Sequence, residues 1–229
     1  MKHSGKASLA ALRLIGLAGA AVIVLLAVAY LAKWAAFFIL TYSVGALVAL
    51  WCLFAIFTFY FFRDPDPLVP TGPNLVISPA HGKVDVVDSA AEPDFLGGEC
   101  QRISIFLSVI DIHVQYAPLT GRVALCKYTR GQFLSALKTE SAQFNENLLI
   151  GIDSLEPRGE KIGVRLIAGL IARRIVPWLK ENEGIQRGER ISLIQFGSRV
   201  EIYLPKRAVI KVKPGDRVIG GETVIASFD

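Results

Sequence analysis

The stretch Phe61-Phe62-Arg63-Asp64-Pro65-Asp66-Pro67 divides this 229-residue chain into two parts of different texture. Its charges and two prolines end a long apolar run. On the N-terminal side, Leu14–Ala32 is nineteen consecutive uncharged residues and Trp34–Phe62 is twenty-nine more, with Lys33 alone between them. About twenty apolar residues span the hydrocarbon core of a bilayer as a helix, so both runs qualify. The pattern predicts a transmembrane helical hairpin in residues 1–62 that turns near Lys33, with Tyr30 and Trp34 as interfacial anchors. A cleavable signal peptide is the rival reading, but the first run is long and a second follows at once. Lys2, Lys6 and Arg13 precede the first run, Arg63 follows the second, and residues 1–62 hold no Asp or Glu. By the positive-inside rule both ends then face the cytoplasm, so the rest of the chain is expected on the inner face of the cell membrane.

The composition agrees. The chain is 52% hydrophobic and only 20% charged, too apolar for disorder and for a wholly soluble protein. Its net charge of +5 belongs to the N-terminal segment, since residues 63–229 carry 21 basic and 20 acidic side chains. That distribution reads as membrane topology and speaks against nucleic-acid binding. Cys52, Cys100 and Cys126 match no zinc or disulfide spacing and suit a reducing compartment. Beyond Pro67 the texture is β. Short runs rich in Val, Ile and Phe, bounded by Gly, Pro and Asp, predict strands at 74–78, 83–87, 102–108, 112–117, 122–128, 147–152, 191–196, 200–204, 209–212 and 223–228. One helix is predicted over Val164–Lys180, where Ile167, Leu170, Ile171 and Val176 recur at helical spacing, although its first residues also suit a strand.

Few residues in this half could carry chemistry. In Asp111-Ile112-His113, a strand would put the carboxylate and the imidazole on one face, where the first could orient the second as a general base. The bland alternative is a partly exposed polar face. Gly197-Ser198 is the sole Gly-Ser dipeptide and lies between two predicted strands. A turn is the plain reading. The sharper one uses a carbonyl without a neighbouring Cβ, open to close attack by the adjacent hydroxyl. His3 lies in the basic leader.

A set of motifs then occurs in order: Phe61-Phe-Arg-Asp-Pro65, Ile77-Ser-Pro-Ala-His81-Gly-Lys-Val84, Asp111-Ile-His113, Ile167-Ala-Gly-Leu-Ile-Ala-Arg-Arg-Ile175 and Phe196-Gly-Ser-Arg-Val-Glu-Ile-Tyr-Leu-Pro205. Together they resemble the short, prokaryotic form of phosphatidylserine decarboxylase, a pyruvoyl-dependent proenzyme, from about Phe61 to the C-terminus. The resemblance implies that Ser198 attacks the Gly197 carbonyl and that the chain splits into a β chain, 1–197, and an α chain, 198–229. Ser198 becomes a covalent pyruvoyl group, the one cofactor implied. That ketone would form a Schiff base with phosphatidylserine, accept the electrons released with carbon dioxide, and yield phosphatidylethanolamine. His113 matches the family's base and Asp111 would support it. The resemblance also implies a β-rich (α+β) catalytic domain, 63–229.

Where the family has Ser-Pro-Ala-Asp-Gly, this chain has His81, and an imidazole supplies no fixed negative charge. Three outcomes stay open: Asp111 orients His113, His81 itself acts as base, or maturation is slow or absent. The last would leave a non-catalytic relative that binds lipid or a partner. Decarboxylation of an ether-linked, archaeal-type serine phospholipid is the alternative within enzymes. Residues 209–226 are similar to the closing hairpin of biotinyl- and lipoyl-type domains, with a turn at Pro214-Gly-Asp216. No modifiable lysine stands at a tip, so barrel-sandwich architecture is expected without carrier function. Arg173 and Arg174 could meet the lipid phosphate or simply cap a helix C-terminus. No metal, nucleotide or nucleic-acid motif is present. The partners implied are the bilayer, its phospholipid and the two chains for each other; a homo-oligomer is compatible with the sequence.

Overall fold

The computed structural model describes residues 6–135, 142–170, 174–195 and 197–228. The chain divides into two compact units, Met1–Phe57 and Thr58–Asp229. The described residues of the first belong to one helix, α1 (Lys6–Phe61), which runs through Lys33 without a break. The expected two-helix hairpin is therefore not what this segment forms. Leu31-Ala-Lys-Trp-Ala-Ala-Phe37 contains neither Gly nor Pro, so the backbone has no local reason to leave its i→i−4 ladder. The stretch Ile15–Phe61 is long and apolar enough to cross a membrane. Two of its hydroxyls bond back to the helix, Thr41 Oγ1 donating to the Phe37 carbonyl (2.8 Å) and Ser43 Oγ to the Ile39 carbonyl (2.7 Å). Such bonds satisfy a polar group without water.

The second unit is built from β1 (Leu75–Ile77), β2 (Gly82–Glu92), β3 (Gly98–Leu107), β4 (Val114–Tyr116), β5 (Gly121–Thr129), β6 (Asn147–Leu155), β7 (Arg158–Ala168), β8 (Ile175–Pro177), β9 (Gly184–Ile185), β10 (Arg190–Ile194), β11 (Ser198–Leu204), β12 (Val209–Ile210), β13 (Arg217–Val218) and β14 (Val224–Ser227). An eight-stranded sheet has the order β13-β2-β3-β11-β7-β6-β5-β9, and two three-stranded sheets read β1-β14-β12 and β4-β10-β8. Val200, Ile202 and Leu204 of β11 join Ile103, Ile105, Ile150, Ile152, Val164 and Leu166 in one core. The period of two sends Arg199, Glu201 and Tyr203 to the opposite face. There Arg199 forms a bidentate pair with Asp85, and the buried Glu201 carboxylate accepts from Tyr203 Oη at 2.6 Å.

Ten predicted strands are found, with boundaries shifted by a few residues. The predicted helix is not. Its first part is β7, paired on both sides with β6 and β11, and its last described part includes β8. Helical spacing of apolar residues lost to strand ladders on both edges of β7, and the window contains Gly169 and Pro177, poor helix residues. Among the described residues after Phe61 there is no α-helix, so the domain's α component is confined to the end of α1. The closing hairpin expected of residues 209–226 is not found, and barrel-sandwich architecture is not confirmed. The Pro214–Asp216 turn forms, closed by Asp216 N–H to the Lys213 carbonyl, but β12 pairs with β14 whereas β13 pairs with β2. The tail thus divides between two sheets.

Register fixes where the loops gather. Ser198 lies opposite Leu107 on β3 and Ala168 on β7, and Lys83 lies opposite Phe106. The starts of β2 and β11 and the ends of β3 and β7 therefore share one end of the large sheet.

Candidate active site

At that end Gly197 precedes the central strand in a left-handed conformation, φ +69°. A Cβ there would meet nothing closer than Val109 Cγ1 at 3.6 Å, so glycine is favoured for its backbone angle. Ser198 is fully buried, and its Oγ is without a hydrogen-bond partner among the described residues. A buried hydroxyl left unpaired costs free energy.

His113 is the group nearest in bonding terms. Its Nε2 accepts the Gly197 N–H at 3.0 Å, and its Nδ1 lies 2.9 Å from the Asp111 main-chain carbonyl. Since Nε2 accepts, Nδ1 carries the proton and donates it to that carbonyl; the tautomer follows from the network. The imidazole is wholly buried. Burial lowers its pKa to about 4 against the opposing pull of the Asp111 carbonyl and carboxylate, while Arg63 and His81 add to the lowering. His113 is thus a neutral base at physiological pH, its lone pair directed at the amide of the residue before Ser198.

Asp111 does not orient His113 as the strand reading predicted. Asp111 and His113 lie in the turn between β3 and β4, not in a strand. The Asp111 carboxylate accepts from Ser108 N–H (2.9 Å) and Ser108 Oγ (2.8 Å) and faces Arg217 Nη1 at 3.5 Å. It is the main-chain carbonyl that reaches the imidazole.

Two supports carry no warning in the local sequence pattern. Gln115 Nε2 donates to the His113 carbonyl at 2.6 Å and its Oε1 accepts from Ser192 Oγ at 2.8 Å, both residues fully buried. The end of α1 forms a wall: the Phe61 and His113 rings lie 4.4 Å apart at 33°, and Phe61 is fully buried. Arg63 then ties the helix end to the turn, Nη1 donating to the Tyr60 carbonyl and Nη2 to the Ile110 carbonyl, both at 2.7 Å. The motif at 61–63 was visible in the sequence, but nothing there said that it closes over a histidine.

His81 is partly buried in the turn before β2, its ring edge-on to Tyr116 at 5.8 Å and packed against Gly220, where a Cβ would sit 3.0 Å from it. Its Nε2 is buried without a partner among the described residues. Burial lowers its pKa, partly opposed by Asp111 and Glu222. Arg174 is exposed on an extended segment, not at a helix end, and its main-chain carbonyl accepts from Gln195 N–H at 3.2 Å. Arg173 lies outside the described residues.

The sequence model of the phosphatidylserine decarboxylase family matches residues 54–226, which spans this entire site. The chain belongs to the phosphatidylserine decarboxylase family. Among similar curated proteins, the phosphatidylserine decarboxylase proenzyme of Desulfotalea psychrophila is 46% identical over 80% of this chain and 84% of its own length. That of Symbiobacterium thermophilum is 41% identical, covering 80% and 90%, and that of Rickettsia bellii 41%, covering 80% and 78%. Family membership thus rests on the same span that assembles Gly197, Ser198 and His113 at one end of the sheet.

Proposed function

We propose that this family member cuts itself between Gly197 and Ser198 and then converts phosphatidylserine to phosphatidylethanolamine at a membrane. The observation that carries the reading is the junction itself: a buried hydroxyl, without a partner among the described residues, directly after a left-handed glycine whose amide is held by a neutral imidazole. In maturation, Ser198 Oγ adds to the Gly197 carbonyl carbon and the Gly197–Ser198 C–N bond breaks, giving an ester and a free Ser198 amine. His113 Nε2 accepts the hydroxyl proton. Loss of the Ser198 Cα proton then expels the Gly197 carboxylate. Uptake of water and release of ammonia leave a pyruvoyl group heading the piece 198–229. That group supplies a ketone for the substrate amine and an electron sink for the departing carbon dioxide.

The site fits such a group, because Ser198 is fully buried and its Oγ has no hydrogen-bond partner among the described residues. The remaining work belongs to the chain. His113, kept neutral, takes and returns a proton at the reacting carbon, and Phe61 excludes water from one face of it. Asp111 acts through its carbonyl, which fixes the tautomer without an acidic partner; this is why His81 in place of the family aspartate is compatible with activity. His81 is then a neutral neighbour and not the base. Arg174, with Arg173 beside it in sequence, meets the lipid phosphate from the segment just before β8. The ether-linked serine phospholipid offers the same head group, so the substrate class is a serine phospholipid.

After cleavage the two pieces stay together, since β11 is hydrogen-bonded to β3 and β7, β13 to β2 and β14 to β1. The apolar helix holds the site at its lipid substrate. The cytoplasmic face is favoured by the basic leader and by three cysteines that are all free.

Intact mass of the purified chain tests the proposal. A split between Gly197 and Ser198, with the small piece blocked at a pyruvoyl terminus, is expected. A single uncut chain after prolonged incubation of folded protein would instead support a lipid- or partner-binding relative.

A further inference from the structure

Around the mouth of the site stands a rim of apolar side chains that the reaction does not use. Ile110 is 57% exposed, Leu170 59%, Ile219 48% and Leu68 81%. Register brings them to one end of the sheet. Ile110 lies three residues beyond the partner of Ser198 on β3, and Leu170 two beyond its partner on β7. Ile219 directly follows Val218, which pairs with Gly82 beside His81. Leu68 is tied to the same corner, its N–H donating to the Glu222 carboxylate while Glu222 N–H donates to the Ile219 carbonyl. From β13 to β7 the rim crosses four strand intervals, about 19 Å at ~4.8 Å each.

Exposed apolar residues in such number call for an occupant, and two observations say which. First, the rim adjoins the last turn of α1, which belongs to the same unit as the sheet: Phe61 covers His113, and Arg63 binds the Ile110 carbonyl. Second, the exposed cations at this end include Lys83 and Arg174, whereas the nearby acids Asp111 and Glu222 are engaged, Asp111 with Ser108 and Arg217 and Glu222 with Leu68 N–H. Apolar side chains flanked by exposed basic groups suit a headgroup layer of anionic lipid.

We infer that Ile110, Leu170, Ile219 and Leu68 form an interfacial seat that inserts into the bilayer surface and sets the mouth of the active site against the lipid headgroups. The inference rests on the membrane reading above. A seated rim lets a headgroup enter while its tails stay in hydrocarbon, so the seat matters for lipid in a bilayer and not for lipid free in water.

The test uses the full chain in vesicles of phosphatidylcholine and phosphatidylserine, some with brominated acyl chains. With Cys100 and Cys126 replaced by serine, a bimane fluorophore is placed at native Cys52 on the helix. In further variants also lacking Cys52 it is placed at Ile110→Cys, Leu170→Cys, Ile219→Cys or Leu155→Cys. Leu155, exposed at the β6–β7 turn, marks the opposite end of the sheet. Quenching by shallow bromines at the three rim positions, with none at Leu155, is expected. Quenching at Cys52 but not at the rim overturns the seat while leaving the membrane anchor intact; no quenching at Cys52 overturns the anchor itself. Rim positions shielded from both bromine and aqueous iodide would mean that protein covers them, which also overturns the seat. In a second measurement, Leu170→Asp with Ile219→Asp should slow turnover of vesicle phosphatidylserine about tenfold, as expected from loss of interfacial apolar contact. Turnover of monomeric, short-chain phosphatidylserine should be unchanged. Equal slowing on both substrates refutes the seat.

Discussion

Replacing Phe61 should be felt at His113 as a change of charge state. The imidazole is fully buried, and burial is the main cause of its fall from the ordinary value near 6.5 to about 4. One of its two faces is covered by the Phe61 ring, 4.4 Å away. Phe61→Ala opens that face to water, and loss of roughly half the desolvation should raise the His113 pKa by at least about one pH unit. At pH 5 the neutral fraction then drops from ~9/10 to ~1/2, so a reaction that needs the neutral base slows about twofold; above pH 7 the change vanishes. The assay is an NMR titration of histidine ring carbons in the Ser198→Ala chain, which cannot cleave. With three histidines in the sequence, each signal is assigned by removing one at a time. Truncating a buried phenylalanine costs ~3–5 kcal/mol, so near-UV circular dichroism must show the variant folded. Phe61→Leu, which keeps an apolar cover, should leave His113 near its original value. The reasoning fails if His113 titrates near 6.5 with Phe61 in place, or if its pKa does not move in folded Phe61→Ala.

Three further outcomes are expected. Asp111→Asn should mature within about threefold of the parent rate on a gel of chain cleavage, because an amide oxygen can still accept from Ser108 and the orienting carbonyl is main chain; a complete block would return the orienting role to the carboxylate. Gly197→Ala should destabilise the uncut chain by ~1–2 kcal/mol, the cost of a left-handed non-glycine residue, lowering Tm by several degrees and slowing cleavage; an unchanged Tm and rate would show that the angle is not required. Finally, His113 has a lower pKa folded than unfolded, so the unfolded chain binds more protons between pH 6.5 and 4. Its contribution is therefore complete above ~6.5 and lost as pH falls toward 4, by ~3 kcal/mol at 1.36 kcal/mol per unit. Denaturation of Ser198→Ala measured at these two pH values should differ by that amount more than the same pair in Ser198→Ala with His113→Phe.

Ten strands were legible because Val, Ile and Phe clusters between Gly, Pro and Asp report local preference directly. The lost helix over Val164–Lys180 shows the limit. Its apolar residues fit both periods, and the choice was made by β6 and β11, which lie elsewhere in the chain and offer β7 a ladder on each edge. The hairpin at Lys33 failed for the opposite reason: it was argued from bilayer thickness, whereas the local backbone holds nothing that breaks a helix.

The sequence by itself determined the apolar segment and its end at Arg63, the β character of the rest, and the candidates Gly197, Ser198 and His113. All of these depend on residue type and near neighbours. Tertiary structure alone decided that an Asp111 carbonyl, not its carboxylate, holds the imidazole, that Phe61 buries it, and that Ser198 Oγ is left without a partner among the described residues. Burial, orientation and hydrogen-bond satisfaction are set by groups distant in the chain, 52 residues apart for Phe61 and His113, and no local pattern encodes which of them will meet.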